Sequence, residues 1–392
     1  MEKRIFSALF FSIFSAILGV GIVVPLLPVY AVELGATGFY TALIFGSFSF
    51  SRAIFLPYFG KASDNKGRKA YILTGLFIYA LVSFGLIIFK DINAIIWVRA
   101  LQGIGSAMVL PVAQAYIGDI TPTGKEGSIM GLFNISLYGG LSIGPLVGGM
   151  IKDTFNIQAS FTCMGLFAIV SFLLCLVMLP SRKYEQRSLT RNKSVKYLHL
   201  LRDEMIRSLF LFRLAYTTCI GIVWLFLPIL ASKKFELQGF SIGILVMSGV
   251  LIAGLLQIPM GILSDRVDKR MLVIVGGLIT VIGISSFEFA SCFWDLFFST
   301  VAYGVGGGVS MPALMAISVV KGKQFNSMGS VMALLTMAHN FGMFLGAIFA
   351  GIIMDLYELQ YVFLSGTVVM MAGIAIFFVN TIKKGDISTA KK

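Results

Sequence analysis

Three arginines of this chain stand inside long apolar stretches, and one string of glycines and charges occurs in it twice. Arg99 lies several residues into the run 94–117, Arg52 eight residues before Gly60 in the run 39–59, and Arg213 less than two turns into 208–231. A guanidinium among hydrocarbon is costly, so it is kept for function or its head snorkels to the surface. Arg99 reads as functional, Arg213 as snorkelling, and Arg52 as either snorkelling or lining a cavity. The string is Gly60-Lys-Ala-Ser-Asp64-Asn-Lys-Gly67-Arg68-Lys69. A degenerate copy, Gly261-Ile-Leu-Ser-Asp265-Arg266-Val-Asp268-Lys269-Arg270, follows 201 residues later. These residue types suit a charged hinge. Gly60 lets helices approach, Gly67 permits a tight turn, and Asp64 can face the positive N-terminus of a helix beginning near Asn326 and Ser327. In the second copy Asp268 stands where Gly67 does, so Asp265 belongs to a weaker hinge.

Bond-making chemistry has no support here, and no enzyme is expected. Cys163, Cys175, Cys219 and Cys292 are scattered without a CxxC pair, and the two histidines, His199 and His339, are far apart, so no metal site is expected. Gly304-Val-Gly306-Gly307-Gly308 lacks the Lys-Ser/Thr of a phosphate loop and reads as close helix packing. Proton chemistry would need a carboxyl group whose pKa responds to burial. The acids in or near apolar runs are Glu33, Asp119, Glu288 and Asp295, all near run ends, and the first run, 5–30, has none. Glu33, Glu288 and Asp295, with Arg99, are the candidates for proton coupling. A cavity lined by Phe11, Phe14, Arg52, Asn134, Tyr138, Trp224, Gln257, His339 and Asn340 suits neutral or anionic amphiphiles better than strongly cationic ones.

The elements that must carry these residues are membrane spans. The 392-residue chain is 57% hydrophobic and only 12% charged, with a mean hydropathy of +0.91. A soluble domain cannot hide that much apolar surface. Runs of about 20 residues, enough to cross roughly 30 Å of hydrocarbon, cover 5–30, 39–59, 70–89, 94–117, 127–151, 159–179, 208–231, 239–263, 271–289, 296–320, 327–354 and 361–379. The first is too long for a signal-peptide core, and no small-residue cleavage site follows it. With both termini inside, four of the 31 Lys and Arg (Lys90, Lys152, Lys233, Lys234) fall outside and three lie within spans, leaving 24 on the inner face. The net charge of +13 is therefore a topology signal and not a nucleic-acid patch.

The chain divides into a bundle at 1–180, a cytoplasmic linker at 181–207 and a bundle at 208–392. Val195, Leu198, Leu201 and Met205 share a helical spacing, so the linker is either a short helix on the anionic leaflet or a solvated tether. The halves repeat. Gly103, Gly105 and Pro111 recur as Gly304, Gly306 and Pro312, and Gly140, Gly144, Gly149 and Asp153 as Gly342, Gly346, Gly351 and Asp355. Arg99 has Thr300 at its repeat position. Two related halves around a central site are the pattern of a transporter.

Four motifs make the chain resemble the major facilitator superfamily over essentially its whole length. The first string fits G-x-x-x-D-x-x-G-R-K/R. Arg99-Ala-Leu-Gln102-Gly103-Ile-Gly105 resembles R-x-x-Q-G-x-G. Gly140-Leu-Ser-Ile-Gly144-Pro145-Leu-Val-Gly148-Gly149 resembles the signature of proton-driven exporters. Leu18-Gly19-Val-Gly21-Ile-Val-Val-Pro25-Leu-Leu-Pro28 resembles that of twelve-span drug/proton antiporters. The resemblance implies an all-α membrane fold of twelve helices in two pseudo-symmetric six-helix bundles. It implies an Arg68–Asp119 pair that, with Asp64, locks the cytoplasmic side, and a proton-coupling Arg99. The glycines of span five, with Pro145, are expected to bring that helix against a partner from the other half. The expected activity is export of small amphipathic molecules by alternating access, in exchange for protons. A facilitator or a flippase-like exporter of lipids or glycolipids is the alternative. The expected setting is a prokaryotic cytoplasmic membrane, as a monomer among lipids, with small-molecule substrates, no nucleic acid, and no cofactor beyond the proton gradient.

Overall fold

The computed structural model describes residues 3–122, 126–180, 197–325, 327–359 and 361–382, with the side chains of 64–66, 126–128, 197–198 and 382 excepted. These residues form helices and no strand. In chain order they are α1 (Lys3–Val23), α2 (Leu26–Glu33), α3 (Gly38–Lys66), α4 (Arg68–Ile88), α5 (Ile92–Ile120), α6 (Glu126–Thr154), α7 (Ile157–Met178), α8 (Tyr197–Leu200), α9 (Glu204–Lys233), α10 (Gly239–Arg266), α11 (Lys269–Ser285), α12 (Phe293–Gln324), α13 (Met328–Leu356) and α14 (Tyr361–Ile382).

The first crossing is α1 and α2 together, broken where Pro25 has no amide hydrogen for the ladder. Eleven described crossings are long and apolar enough to span a bilayer. The twelfth, α11, has 17 residues, about 25 Å at the helical rise. Its apolar run was expected to continue to 289. The helix stops at Ser285 and the chain turns through 286–289, where Ser286 Oγ lies 2.9 Å from the Gly283 carbonyl and 2.7 Å from Ser299 Oγ. Large apolar side chains such as Trp97, Phe155 and Phe289 are more than 70% exposed. That surface is stable only against lipid, and the chain is an integral membrane protein.

Two compact units emerge, Met1–Glu185 with Trp224–Met247, and Gln186–Val223 with Ser248–Lys392. In the first, α1 packs on α6 and α7, α3 on α5, and α4 on α5 and α7. Lipid supplies little hydrophobic drive between helices, so van der Waals contact and small residues decide these pairings. A Cβ on Gly75 would come within 2.7 Å of the Gly105 carbonyl, and one on Gly105 within 2.8 Å of Ile78. In the second unit α11 packs on α12 and α14. The Gly304–Gly308 run faces three neighbours there. Gly304 meets Gly249 of α10, Gly306 meets Thr280 of α11, and Gly307 meets Tyr216 of α9.

The linker is described only from Tyr197 onward. Its described part is a single helical turn, α8, and Leu200 is fully buried with Ile206, Val331 and Leu334. Leu201 packs against this cluster, and the side chain of Leu198 lies outside the described residues. Val195 and the rest of the linker to 196 lie outside the described residues.

Candidate functional site

At the end of α3 the chain turns through Gly67 at φ +92°, a conformation that favours glycine. The turn starts α4 at Arg68, whose Nε donates to Asp119 Oδ2 and Nη2 to Asp119 Oδ1 (3.3 Å). This is a two-pronged pair, partly buried at the end of α5. Beside it, Lys69 Nζ donates to the carbonyls of Leu176 (2.8 Å) and Leu179 (2.5 Å), closing the C-terminus of α7. The side chain of Asp64, and Asn326 opposite which it was expected, lie outside the described residues. Among the described residues of its own unit, a Cβ on Gly60 would meet nothing within 4 Å.

The second copy keeps half of this arrangement. Arg270 Nη1 donates to the Thr381 carbonyl (3.2 Å) at the end of α14, as Lys69 does at the end of α7. Asp268 replaces the turn glycine with an N-cap, accepting from the Arg270 amide (2.9 Å). Asp265 is exposed. Lys321, one residue past the repeat position of Asp119, is 7% exposed and pairs with Asp203 at 3.0 Å. Asp203 also caps α9 through the Ile206 amide (2.9 Å). Sequence reasoning missed this pair because Asp203 and Lys321 are 118 residues apart and no repeat or pattern joins them.

Arg99 is 4% exposed. Its Nη1 donates to Gln102 Oε1, one turn on, and its Nε to the Ile44 carbonyl of α3 (3.3 Å). Its guanidinium lies 4.8 Å over the Phe48 ring, a cation–π contact. Gln102 is fully buried, and Gly103 follows it where a Cβ would collide with Ser51 and the Phe48 backbone. The Ser51 hydroxyl donates to the Ala100 carbonyl (2.8 Å). The motif residues Arg99, Gln102 and Gly103 thus share the α3-facing side of α5, while Gly105 faces α4. Arg52 follows Phe48 by one turn on α3, partly exposed with an enclosed Nε.

The α6 glycines sort into two stripes. Gly140, Gly144 and Gly148, four residues apart, face α1. A Cβ on Gly144 would stand 2.7 Å from Gly21 Cα, and one on Gly140 2.9 Å from the Leu18 amide. Pro145 and Gly149 lie on the adjacent stripe, where Gly149 meets Gly239 and Gly243 packs on Pro145 and Leu146. The expectation that all the glycines close on a helix from the other half of the sequence is corrected. The helical period sends one stripe to α1 and only the next to α10. At the end of that stripe Asp153 accepts from the amides of Gly239 (2.8 Å) and Phe240 (2.7 Å), capping α10 with a full charge. Asp153 carried no role in the sequence beyond its repeat to Asp355.

The acids proposed for proton coupling sit at helix ends. Glu33 pairs with Lys152 at 3.7 Å on the surface. Asp295 accepts from the amides of Ser291 (2.8 Å) and Cys292 (3.1 Å) at the start of α12. Glu288 lies in the turn after α11. Of the cavity candidates, His339 Nδ1 is 3.4 Å from Arg213 Nη2, and Arg213 also contacts the Met311 sulfur. Arg213 is therefore engaged inside its bundle and does not snorkel. Asn340 is 2% exposed, and its amide donates to the Thr336 carbonyl (3.0 Å) within its own helix. Asn134, Tyr138, Trp224 and Gln257 are each partly exposed on α6, α6, α9 and α10. Phe11 and Phe14 line an apolar groove with Leu174 and Met178 of α7.

A bundle of apolar crossings with internally repeated halves and a charged turn at the end of α3 defines a polytopic membrane transporter. The chain belongs to the Major Facilitator Superfamily, whose family model matches residues 9–247 and 209–391. It is a transporter and not an enzyme. It is 28% identical over 360 residues to an uncharacterised MFS-type transporter of Methanocaldococcus jannaschii, covering 91% of this chain and 92% of that one. It is 23% identical over 359 residues to the quinolone resistance protein NorA of Staphylococcus aureus, covering 91% of each. Among solved structures, a bacterial homologue of the human lysosomal transporter Spinster has the same fold. The TM-score is 0.82 at 13% identity, over 97% of both chains.

Proposed function

We propose that this transporter exports small amphipathic molecules by alternating access, in exchange for protons. The observation that carries the reading is the packing of α6. Its Gly140, Gly144, Pro145, Gly148 and Gly149 form the pattern that resembles proton-driven exporters, and here that pattern is in backbone contact with α1 and the start of α10. Contact that close leaves no room for water or ions beside the helix, as an exchanger needs if protons are not to leak. Similarity to a protein named for quinolone resistance supports the same direction. In this cycle the Arg68–Asp119 pair, with Asp64, locks the inner side, and Arg99 takes part in coupling.

One observation favours a second reading, a facilitator or a flippase-like exporter without proton coupling. Every described Asp and Glu lies at or near a helix end, so no mid-span acid offers itself as a proton carrier. Reconstitution decides between them. Proteoliposomes are loaded with a fluorescent amphiphile and assayed with and without an imposed pH gradient. Export against the amphiphile gradient that requires the pH gradient supports exchange. Equilibration alone supports the second reading. The proposed setting is a prokaryotic cytoplasmic membrane, with both termini inside, a monomer among lipids, and no cofactor or nucleic acid.

A further inference from the structure

The interior of the first unit holds two cations and too few acceptors. Arg99 uses Nε and Nη1 on the Ile44 carbonyl and on Gln102 Oε1. That bond fixes the amide of Gln102, so its Nε2 points the other way, fully buried and with no hydrogen-bond partner. Arg52 Nε is also enclosed and without a partner. Phe48 ties the two cations together, since the Arg99 guanidinium covers its ring and Arg52 follows it at i+4 on the same face of α3. Tyr79 of α4, hydrogen-bonded to Ser106, lies within electrostatic reach of both.

No described acid offsets these charges. In the first unit Glu33 pairs with Lys152, Asp119 with Arg68, Asp91 caps α5, and Asp153 caps α10. These four are at helix ends, and the fifth, Glu236, is exposed in the turn between α9 and α10. A buried cation without a counter-charge is unfavourable unless something supplies one. Orphaned donors beside uncompensated positive charge mark the place for an acceptor that carries negative charge. Snorkelling does not account for the pair, because Arg99 is buried and Arg52 has its Nε enclosed.

We infer that Arg52, Gln102 and Arg99 form an anion-binding subsite in the first unit that takes an oxyanion, carboxylate- or sulfate-like, of a small molecule. Arg52 is the member still partly open to solvent and makes the first contact. Arg99 and the orphaned Gln102 amide lie behind it. The inference rests on the reading of the protein as an amphiphile transporter and narrows its substrates to those with an anionic group.

Purified full-length protein in detergent is titrated with 1-naphthoate, with the size-matched neutral 1-naphthamide, and with inorganic sulfate, reading thermal stabilisation. A charge-assisted contact gives naphthoate about a tenfold advantage or more over naphthamide. Arg52→Ala and Arg52→Gln abolish that advantage, and Arg52→Lys keeps part of it because a point charge replaces the fork. Equal naphthamide binding in all variants shows that they are folded. Stabilisation by sulfate that is lost in Arg52→Gln, without a naphthoate preference, supports the subsite with a free oxyanion as its ligand. The inference is overturned if wild type shows neither the naphthoate advantage nor sulfate stabilisation, or if either survives in both Arg52→Ala and Arg52→Gln. The assay uses no gradient, so failure of proton exchange leaves it standing. Loss of charge preference, in turn, leaves export of neutral amphiphiles standing.

Discussion

At the scale of single residues, Arg99 is held by a backbone carbonyl, a glutamine and an aromatic face, with no carboxylate among its partners. Neutral partners hold a cation in place without cancelling its field. If Arg99 takes part in coupling, Arg99→Ala removes pH-driven accumulation while downhill exchange survives. Arg99→Lys recovers only part, because an ammonium cannot reach Ile44 and Gln102 in one geometry. Parallel assays of accumulation and exchange in proteoliposomes check this, and full accumulation in Arg99→Ala would show that the arginine is structural. The Arg68–Asp119 pair gives a second prediction. Each of Arg68→Ala and Asp119→Asn slows transport by about tenfold, the loss of a charge-assisted two-pronged contact. The reversed pair, Arg68→Asp with Asp119→Arg, recovers some of it. No recovery, with protein levels held equal, would mean that the two residues act separately.

At the scale of elements, α6 shows how much a sequence period can convey. Glycines at 140, 144 and 148 announce a stripe that meets another backbone, and the structure has that stripe against Gly21 and Leu18. The partner was not legible. Which helix lies on which stripe depends on contacts about 90 to 125 residues distant, and the pattern alone sent Gly140, Gly144 and Gly148 to the wrong neighbour while Gly149 does meet α10. The same limit hid Asp153, Asp203 and Gln102. Each is an ordinary polar residue in sequence and takes its role from a group elsewhere in the fold. The paired arginine and aspartate at 68 and 119 were legible because a family pattern already joined them. A Leu side chain at position 144 would enter backbone 2.7 Å away, which no rotamer change relieves. Gly308→Ala places one methyl group 2.6 Å from Leu256 Cβ, which a small shift of the α10 or α12 backbone must relieve, a lesser demand than a whole Leu side chain against backbone at 144. Overpacking costs about 1–3 kcal/mol when neighbours can give, and Gly144→Leu exceeds that. Transport is lost in Gly144→Leu, through leak or misfolding, and falls less in Gly308→Ala. Proton leak and thermal stability of the two variants check the order. Asp153→Asn leaves a weaker acceptor on the α10 amides and lowers stability by an N-cap's share, about 1 kcal/mol, read as a lower melting temperature.

At the scale of the whole molecule, the charge distribution makes a claim about orientation that one cysteine can test. With both termini inside, 24 of the 31 basic residues face the cytoplasm. Counting crossings from the N-terminus, with α1 and α2 as one, then puts the turn between α11 and α12 outside. Cys292 sits in that turn at the start of α12 and is exposed. Cys163 is partly buried, and Cys175 and Cys219 are buried in helices α7 and α9. Burial withholds a thiol from an aqueous reagent, so the wild-type chain already approximates a single-site reporter. A membrane-impermeant maleimide added to intact cells is expected to label the protein, and Cys292→Ser to remove nearly all of that label. Inverted vesicles prepared from the same cells should react only after permeabilisation. Labelling confined to inverted vesicles would place the α11–α12 turn in the cytoplasm. The hinge strings at Gly60 and Gly261 would then lie outside, and the Arg68–Asp119 pair could not be an inner lock. The labelling result therefore fixes which face of the membrane each proposed role belongs to before any transport is measured.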